Sequence, residues 1–196
     1  EDHCGLAAWL HTTHGTRVYM PGCYLSLSGR PASLPLYRRL FWGKRPAFEA
    51  HTLPESVPGG KYTLQTIPAP GHTRDHVVFW EPEQGWLLSG DVFVRARPEL
   101  GFGEEDMPVM IQTLQSLLQL DFDTLFCSHA GPLPNGKQLL SQKLEYLQDV
   151  QGKARHLRDK GWGLRQIVSS ILPRKRAVEH ITRGEWSRQN LIQSLL

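Results

Sequence analysis

Three histidines and two aspartates stand where a strand-like run has just ended or a turn begins. They are Asp2 and His3 in the opening EDHCG, His72 in PGHT, Asp91 in SGD and His129 in SHAGP. Imidazole and carboxylate are the donors that Zn²⁺, Mn²⁺ and Fe²⁺ accept readily, so five such groups brought together would make a metal cluster. Taken singly each is weak, because an Asp at a loop start ordinarily caps a turn and a Gly-His after Pro is ordinary turn chemistry. Their weight lies in the fixed order, with apolar strand-length segments between them. Strand ends converge in space in open α/β sheets, which is where such sheets place ligands.

Other polar groups near these positions have lesser roles to offer. His76 begins the strand-like HVVFW, four residues beyond His72, and could contact substrate or a metal ligand. Asp75, in the same turn, reads as a cap or as a hydrogen-bond acceptor for a ligand. Arg95 and Arg97 follow Asp91 closely and could hold an anionic substrate group. No GxSxG elbow is present, so a serine nucleophile is not signalled. The three cysteines, Cys4, Cys23 and Cys127, lack CxxC spacing and read as small buried fillers in a reducing compartment.

The elements that must position the donors follow from periodicity. Leu6, Trp9 and Leu10 recur at i, i+3 and i+4 before Gly15, which predicts a short helix with one buried face. TRVYMP predicts a strand ended by Pro21, SLPLYRRLFWG is weakly helical, and the Pro-rich stretch from Arg45 to Gly60 reads as loop. KYTLQTI predicts a strand; HVVFWEP and GWLLSGD predict a hairpin. EEDMPVMIQTLQSLLQL has helical spacing, with Met110, Leu114, Leu117 and Leu118 on one face. DTLFCSH reads as a short buried strand, AGPLPNG as a turn, and a long helix runs from about Lys137 to Lys160. Breaks at Gly161 to Gly163, Pro173 and Gly184 divide an otherwise helical remainder. Its last helix carries Trp186, Leu191, Ile192 and Leu195 as an apolar stripe.

Composition suits a soluble globular chain, with 40% apolar and 21% charged residues among 196. No run approaches a membrane span and no charged-then-apolar leader is seen; a cytoplasmic location is expected. Residues 1–150 carry 12 Lys and Arg against 16 Asp and Glu, whereas residues 151–196 carry 10 against 3. The C-terminal quarter is therefore a distinct basic piece, and it invites a nucleic-acid reading. Against that reading, its charges are spread along helices whose exposed faces must be polar in any case, without interleaved aromatic residues.

The ordered set EDH, PGHT, SGD and SHAGP resembles the metallo-β-lactamase-fold hydrolases, which include glyoxalase II-like thioesterases, lactonases and RNA-processing nucleases. The resemblance covers roughly residues 1–145. It implies an α/β fold, the αββα sandwich, over 1–145 and a basic, all-helical extension over 146–196. It also implies a metal-dependent hydrolase, with two zinc ions (iron or manganese would suit the same donors) and a metal-bound hydroxide acting on a small ester, thioester or lactone. Asp2, His3, Asp91 and His129 would hold one metal, and Asp91 would bridge to a second shared with His72. Asp2 and Asp91 would be the catalytic carboxylates, Asp2 orienting the nucleophile or helping to protonate the leaving group. The family's first motif is HxHxDH, of which EDH matches the last three positions, so the expectation is a longer chain whose HxH and first strands precede Glu1. A small-molecule substrate is expected, and no membrane. A phosphodiester-cleaving nuclease is the alternative activity, and a non-catalytic binding module of the same fold is the third reading.

Overall fold

The computed structural model describes residues 3–196, with Tyr24 described by its backbone alone. It divides into two compact units, one up to Glu55 and one comprising Ser56–Leu196.

The first unit has helix α1 (Ala7–His14), strand β1 (Tyr19–Met20), a 3₁₀ turn at Gly22–Tyr24, helices α2 (Leu25–Ser28) and α3 (Leu36–Trp42), and strand β2 (His51–Thr52). β1 and β2 pair in parallel, Tyr19 opposite His51. Gly15 ends α1 in the left-handed conformation, at φ 63°, as a C-terminal glycine does. The expected buried face of this helix is absent: Leu6, Trp9 and Leu10 are exposed and only Ala7 is buried. The apolar residues Ala7, Ala8, Trp9 and Leu10 are consecutive, so they point around the helix and do not gather into one stripe.

The second unit is built on a six-stranded sheet in the order β3-β4-β5-β6-β8-β9. Its strands are β3 (Ser56–Gly59), β4 (Tyr62–Pro68), β5 (Val77–Glu81), β6 (Trp86–Gly90), β8 (Thr124–Cys127) and β9 (Gly131–Leu133). Strand β7 (Gly101–Phe102) lies apart from it, and helix α4 (Met107–Leu117) makes the crossover between β6 and its parallel neighbour β8. The other ladders of the sheet are antiparallel. Two strands of this unit fall where loop and turn were expected, as β2 does in the first unit. β3 occupies the end of the Pro-rich stretch, and β9 lies in AGPLPNG. Both are edge strands, and each carries a proline, Pro58 and Pro132. An edge strand tolerates proline because one row of its N–H groups needs no partner, and the proline discourages pairing with another chain.

Helix α5 (Gly136–Asp159) follows, then α6 (Leu164–Ile171), α7 (Ala177–Ile181), strand β10 (Trp186–Ser187) and α8 (Arg188–Leu195). Trp186 therefore precedes the closing helix and pairs with Phe102 of β7, leaving Leu191, Ile192 and Leu195 as the buried stripe. One core joins the sheet residues Val78, Leu87 and Leu125 to Leu114 of α4, Leu147 of α5 and Leu191 of α8, all 0% exposed. The alternation of buried and half-buried residues along β6 and β8 turns one face of the sheet toward these helices. The turns after β4, β6 and β8 then leave that core at fixed points.

Candidate metal centre

His72, Asp91 and His129 come together in the second unit. His129 Nε2 lies 3.0 Å from Asp91 Oδ1, and His72 Nε2 lies 3.3 Å from Asp91 Oδ2. Asp91 is 9% exposed. Two imidazole nitrogens thus face the two oxygens of one buried carboxylate. Lone pairs on neutral imidazoles would repel those oxygens, so the arrangement calls for a cation or a proton between them. The donor set fits a divalent metal such as zinc on chemistry and convergence alike.

Each donor is held by backbone contacts that begin in the core. The loop carrying His72 is fastened to the start of α4: Asp106 N–H donates to Gly71 O at 2.8 Å, and Thr113 Oγ1 donates to Pro70 O at 2.6 Å. Gly71 has φ 132°, and a Cβ there would fall 2.7 Å from Met110 Cα. Only glycine permits that approach. Asp91 follows Gly90, at φ 51°, where a Cβ would meet His76 Nε2 at 2.7 Å. The bare glycine lets His76 reach past it: the Asp91 N–H donates to His76 Nε2 at 3.1 Å. His76 thus holds the backbone of the Asp91 carboxylate.

Glu105 orients His72. Its Oε1 accepts from His72 Nδ1 at 2.7 Å, leaving Nε2 directed at Asp91, while its Oε2 accepts the Phe102 N–H at 2.9 Å. A carboxylate on the far nitrogen of a metal-binding histidine sets its tautomer and raises its basicity. Burial works against a charge on His72, but the hydrogen bond and charge of Glu105, with Asp91 beside them, outweigh it and raise the imidazole pKa above its ordinary value. The closing helix supports the same loop: Ser194 Oγ donates to Glu105 O at 2.9 Å and accepts the Met107 N–H at 2.8 Å. Phe102 sets its ring edge-on to His72, with centroids 6.5 Å apart, and stacks on Trp186 at 5.4 Å. Beneath Asp91, the buried Lys143 of α5 donates to Val92 O at 2.5 Å. Burial lowers its pKa to about 8, in spite of Glu105, Asp91 and Cys127 nearby.

Of the other sequence-predicted residues, His3 is described in the first unit, exposed in the turn before α1, and Asp2 lies outside the described residues. Arg95 and Arg97 are exposed in the loop after Asp91, and Asp75 is half-buried in the turn after His72. Glu105 and Lys143 escaped sequence reasoning. The helix was expected to begin at Glu104, which put Glu105 on its surface. It begins at Met107, with Asp106 as its cap accepting the Val109 N–H at 3.0 Å and with Pro108 in the first turn. That Asp-x-Pro start was a legible signal that Glu105 belongs to a loop. Lys143, in a long helix rich in charge, carried no such signal.

The chain matches the model of the metallo-beta-lactamase superfamily over residues 1–129. It is 31% identical over 142 residues to a hydroxyacylglutathione hydrolase of Hahella chejuensis, covering 69% of this chain and 52% of that protein. A hydroxyacylglutathione hydrolase of Legionella pneumophila (strain Lens) is 34% identical over 87 residues, 42% of this chain and 33% of the relative. The chain thus spans between a third and about half of the length of these curated relatives. Among solved structures, a beta-lactamase domain protein from Burkholderia ambifaria superposes with a TM-score of 0.66 at 19% identity, over 98% of this chain and 65% of that one.

Proposed function

This chain belongs to the metallo-beta-lactamase superfamily, and from that premise we propose that it carries the metal centre of a hydrolase for small thioesters, esters or lactones. The observation that carries the reading is the convergence of His72 Nε2 and His129 Nε2 on the two oxygens of Asp91, at 3.3 and 3.0 Å. In this reading His72, Asp91 and His129, with Asp2 and His3, are the residues that would hold divalent metal, zinc being the ion proposed. The last two enter on the EDH motif. When bound, the cations would polarise the scissile carbonyl and lower the pKa of a water toward neutrality.

The chain's own residues do the rest. Glu105 keeps the proton of His72 on Nδ1, so that Nε2 stays a donor. His76 fixes the Asp91 backbone, which holds its carboxylate in one orientation. Lys143 places a buried ammonium near Asp91 and Glu105 and offsets part of their negative charge. The Phe102 ring lies edge-on against His72 and limits its movement on that side. Asp2 orients the nucleophile or protonates the leaving group, and Arg95 and Arg97 are the residues proposed to meet an anionic substrate group. The thioester class is favoured because two of the relatives are named as hydroxyacylglutathione hydrolases.

The test is an assay of the full-length protein that contains this chain, loaded with zinc, against S-lactoylglutathione, a chromogenic ester and a single-stranded RNA. Turnover of the thioester or ester, lost in Asp91→Ala, is the expected result. Cleavage of RNA alone would replace this reading with the nuclease one.

A further inference from the structure

Cys127 was expected to be a filler, yet its sulfur touches two of the three loops that carry His72, Asp91 and His129. It is the last residue of β8 and is 5% exposed. Its thiol donates to Phe93 O at 2.8 Å, two residues beyond Asp91. The same sulfur accepts the N–H groups of His129, at 3.4 Å, and Ala130, at 3.3 Å. One atom therefore joins the chain after Asp91 to the turn that presents His129. The neighbouring carbonyl, Val92 O, is taken by Lys143 Nζ from α5. The backbone just past Asp91 is thus gripped at two successive carbonyls, by a strand from one side and a helix from the other.

An apolar side chain of similar volume would fill the same space and make none of these bonds. A thiol is a small hydrophobe that can donate one hydrogen bond and accept others. The two loops lie far apart in sequence and are brought together by the parallel pairing of β6 with β8, where Gly90 sits opposite Cys127 across a register shift. That irregularity interrupts the ladder beside Asp91, and the thiol supplies a contact between the loops next to the interruption.

We propose that Cys127 is a positioning residue, whose thiol sets the spacing between Asp91 and His129 and so the affinity of the centre for its metal. The inference rests on the metal reading given above, and its test separates the two. Co²⁺ is titrated into the metal-free full-length protein and followed by its visible d–d absorption, for wild type, Cys127→Val, Cys127→Ser and the exposed-cysteine control Cys23→Ser. Cys127→Val is expected to keep its circular dichroism and to bind Co²⁺ at least tenfold more weakly. Cys127→Ser, which restores a donor and an acceptor, is expected to recover much of the loss, and Cys23→Ser to match wild type. If Cys127→Val does not fold, Cys127→Ala makes the same comparison. Wild-type affinity and spectrum in the folded variant would overturn the proposal.

Amide hydrogen exchange at His129 and Ala130, measured without metal, reads the tie directly. Exchange at least tenfold faster in Cys127→Val, with α4 and α5 unchanged, supports it, and equal rates overturn it. Should wild type itself fail to bind Co²⁺ while these amides respond to the substitution, the metal reading falls and the thiol tie between the loops stands.

Discussion

The two units differ in how much apolar surface each buries within itself. In the second, Leu87, Leu114, Leu125 and Leu147 are 0% exposed, and His72, Asp91 and His129 leave that core within a few residues of it. In the first, Leu36, Leu40 and Phe41 are 71%, 77% and 65% exposed, and among its described residues only Ala7, Ser28 and Phe48 are buried. Burial of large apolar side chains is the dominant stabilising effect in folding, so the second unit has the means to hold its donors rigidly. The first has no comparable core among its described residues. The difference teaches that two parts of one chain can differ widely in the mechanical support they give their side chains.

The largest expected effect sharpens the role of the well-supported donors. In the full-length protein, Asp91→Ala should abolish the proposed hydrolysis and sharply lower metal content by atomic absorption, because this one carboxylate faces both histidines. Full activity and metal in that variant would break the assignment. The next effect tests the core directly: Leu114→Ala should cost about 2–5 kcal/mol of unfolding free energy in urea. Leu40→Ala in the first unit should stay within about 0.5 kcal/mol; equal losses would dissolve the contrast between the units.

Removing the support and keeping the ligands should have an intermediate effect. Glu105→Gln should lower metal affinity by roughly 10- to 100-fold, the range for losing the partner of a metal-binding histidine, while thermal stability changes little. Competition with a chelator measures it, and unchanged affinity would mean that Glu105 does not direct His72. The smallest effect concerns acid. Burial works against the charge of Glu179, but hydrogen bonds from the Arg176 N–H and from Arg188, and the charge of Arg188, depress its pKa below the ordinary value. The carboxylate is therefore stabilising above the pKa of an unfolded Glu, about 4.3, and that contribution is lost as pH falls through the depressed folded value. Urea melts from pH 7 to pH 3 should show a steeper loss for wild type than for Glu179→Gln, and parallel curves would remove Glu179 from the account.

Much of the second unit was legible because its signals are local. The hairpin of β5 and β6, the apolar face of α4 and the length of α5 each follow from period and turn residues within a few positions. The strand-end placement of His72, Asp91 and His129 came the same way. The edge strands β3 and β9 were not legible, because Pro58 and Pro132 read as loop until a neighbour exists for them to pair with on one side. The first helix shows the converse, since spacing that suggested a buried face found only Ala7 buried.

The roles of Glu105, Lys143 and Cys127 belong to a different class of information. Glu105 meets His72 across 33 positions, Cys127 meets Phe93 across 34, and Lys143 meets Val92 across 51. By itself, then, the sequence determined which residue types stand at the ends of its strands, and with them the donor chemistry of the proposed metal centre. Tertiary structure alone decided which side chains steady those donors. Periodicity reports only which face a residue shares with its near neighbours, whereas a hydrogen bond between distant segments exists only once the sheet and helices have packed and brought both partners within about 3 Å of each other.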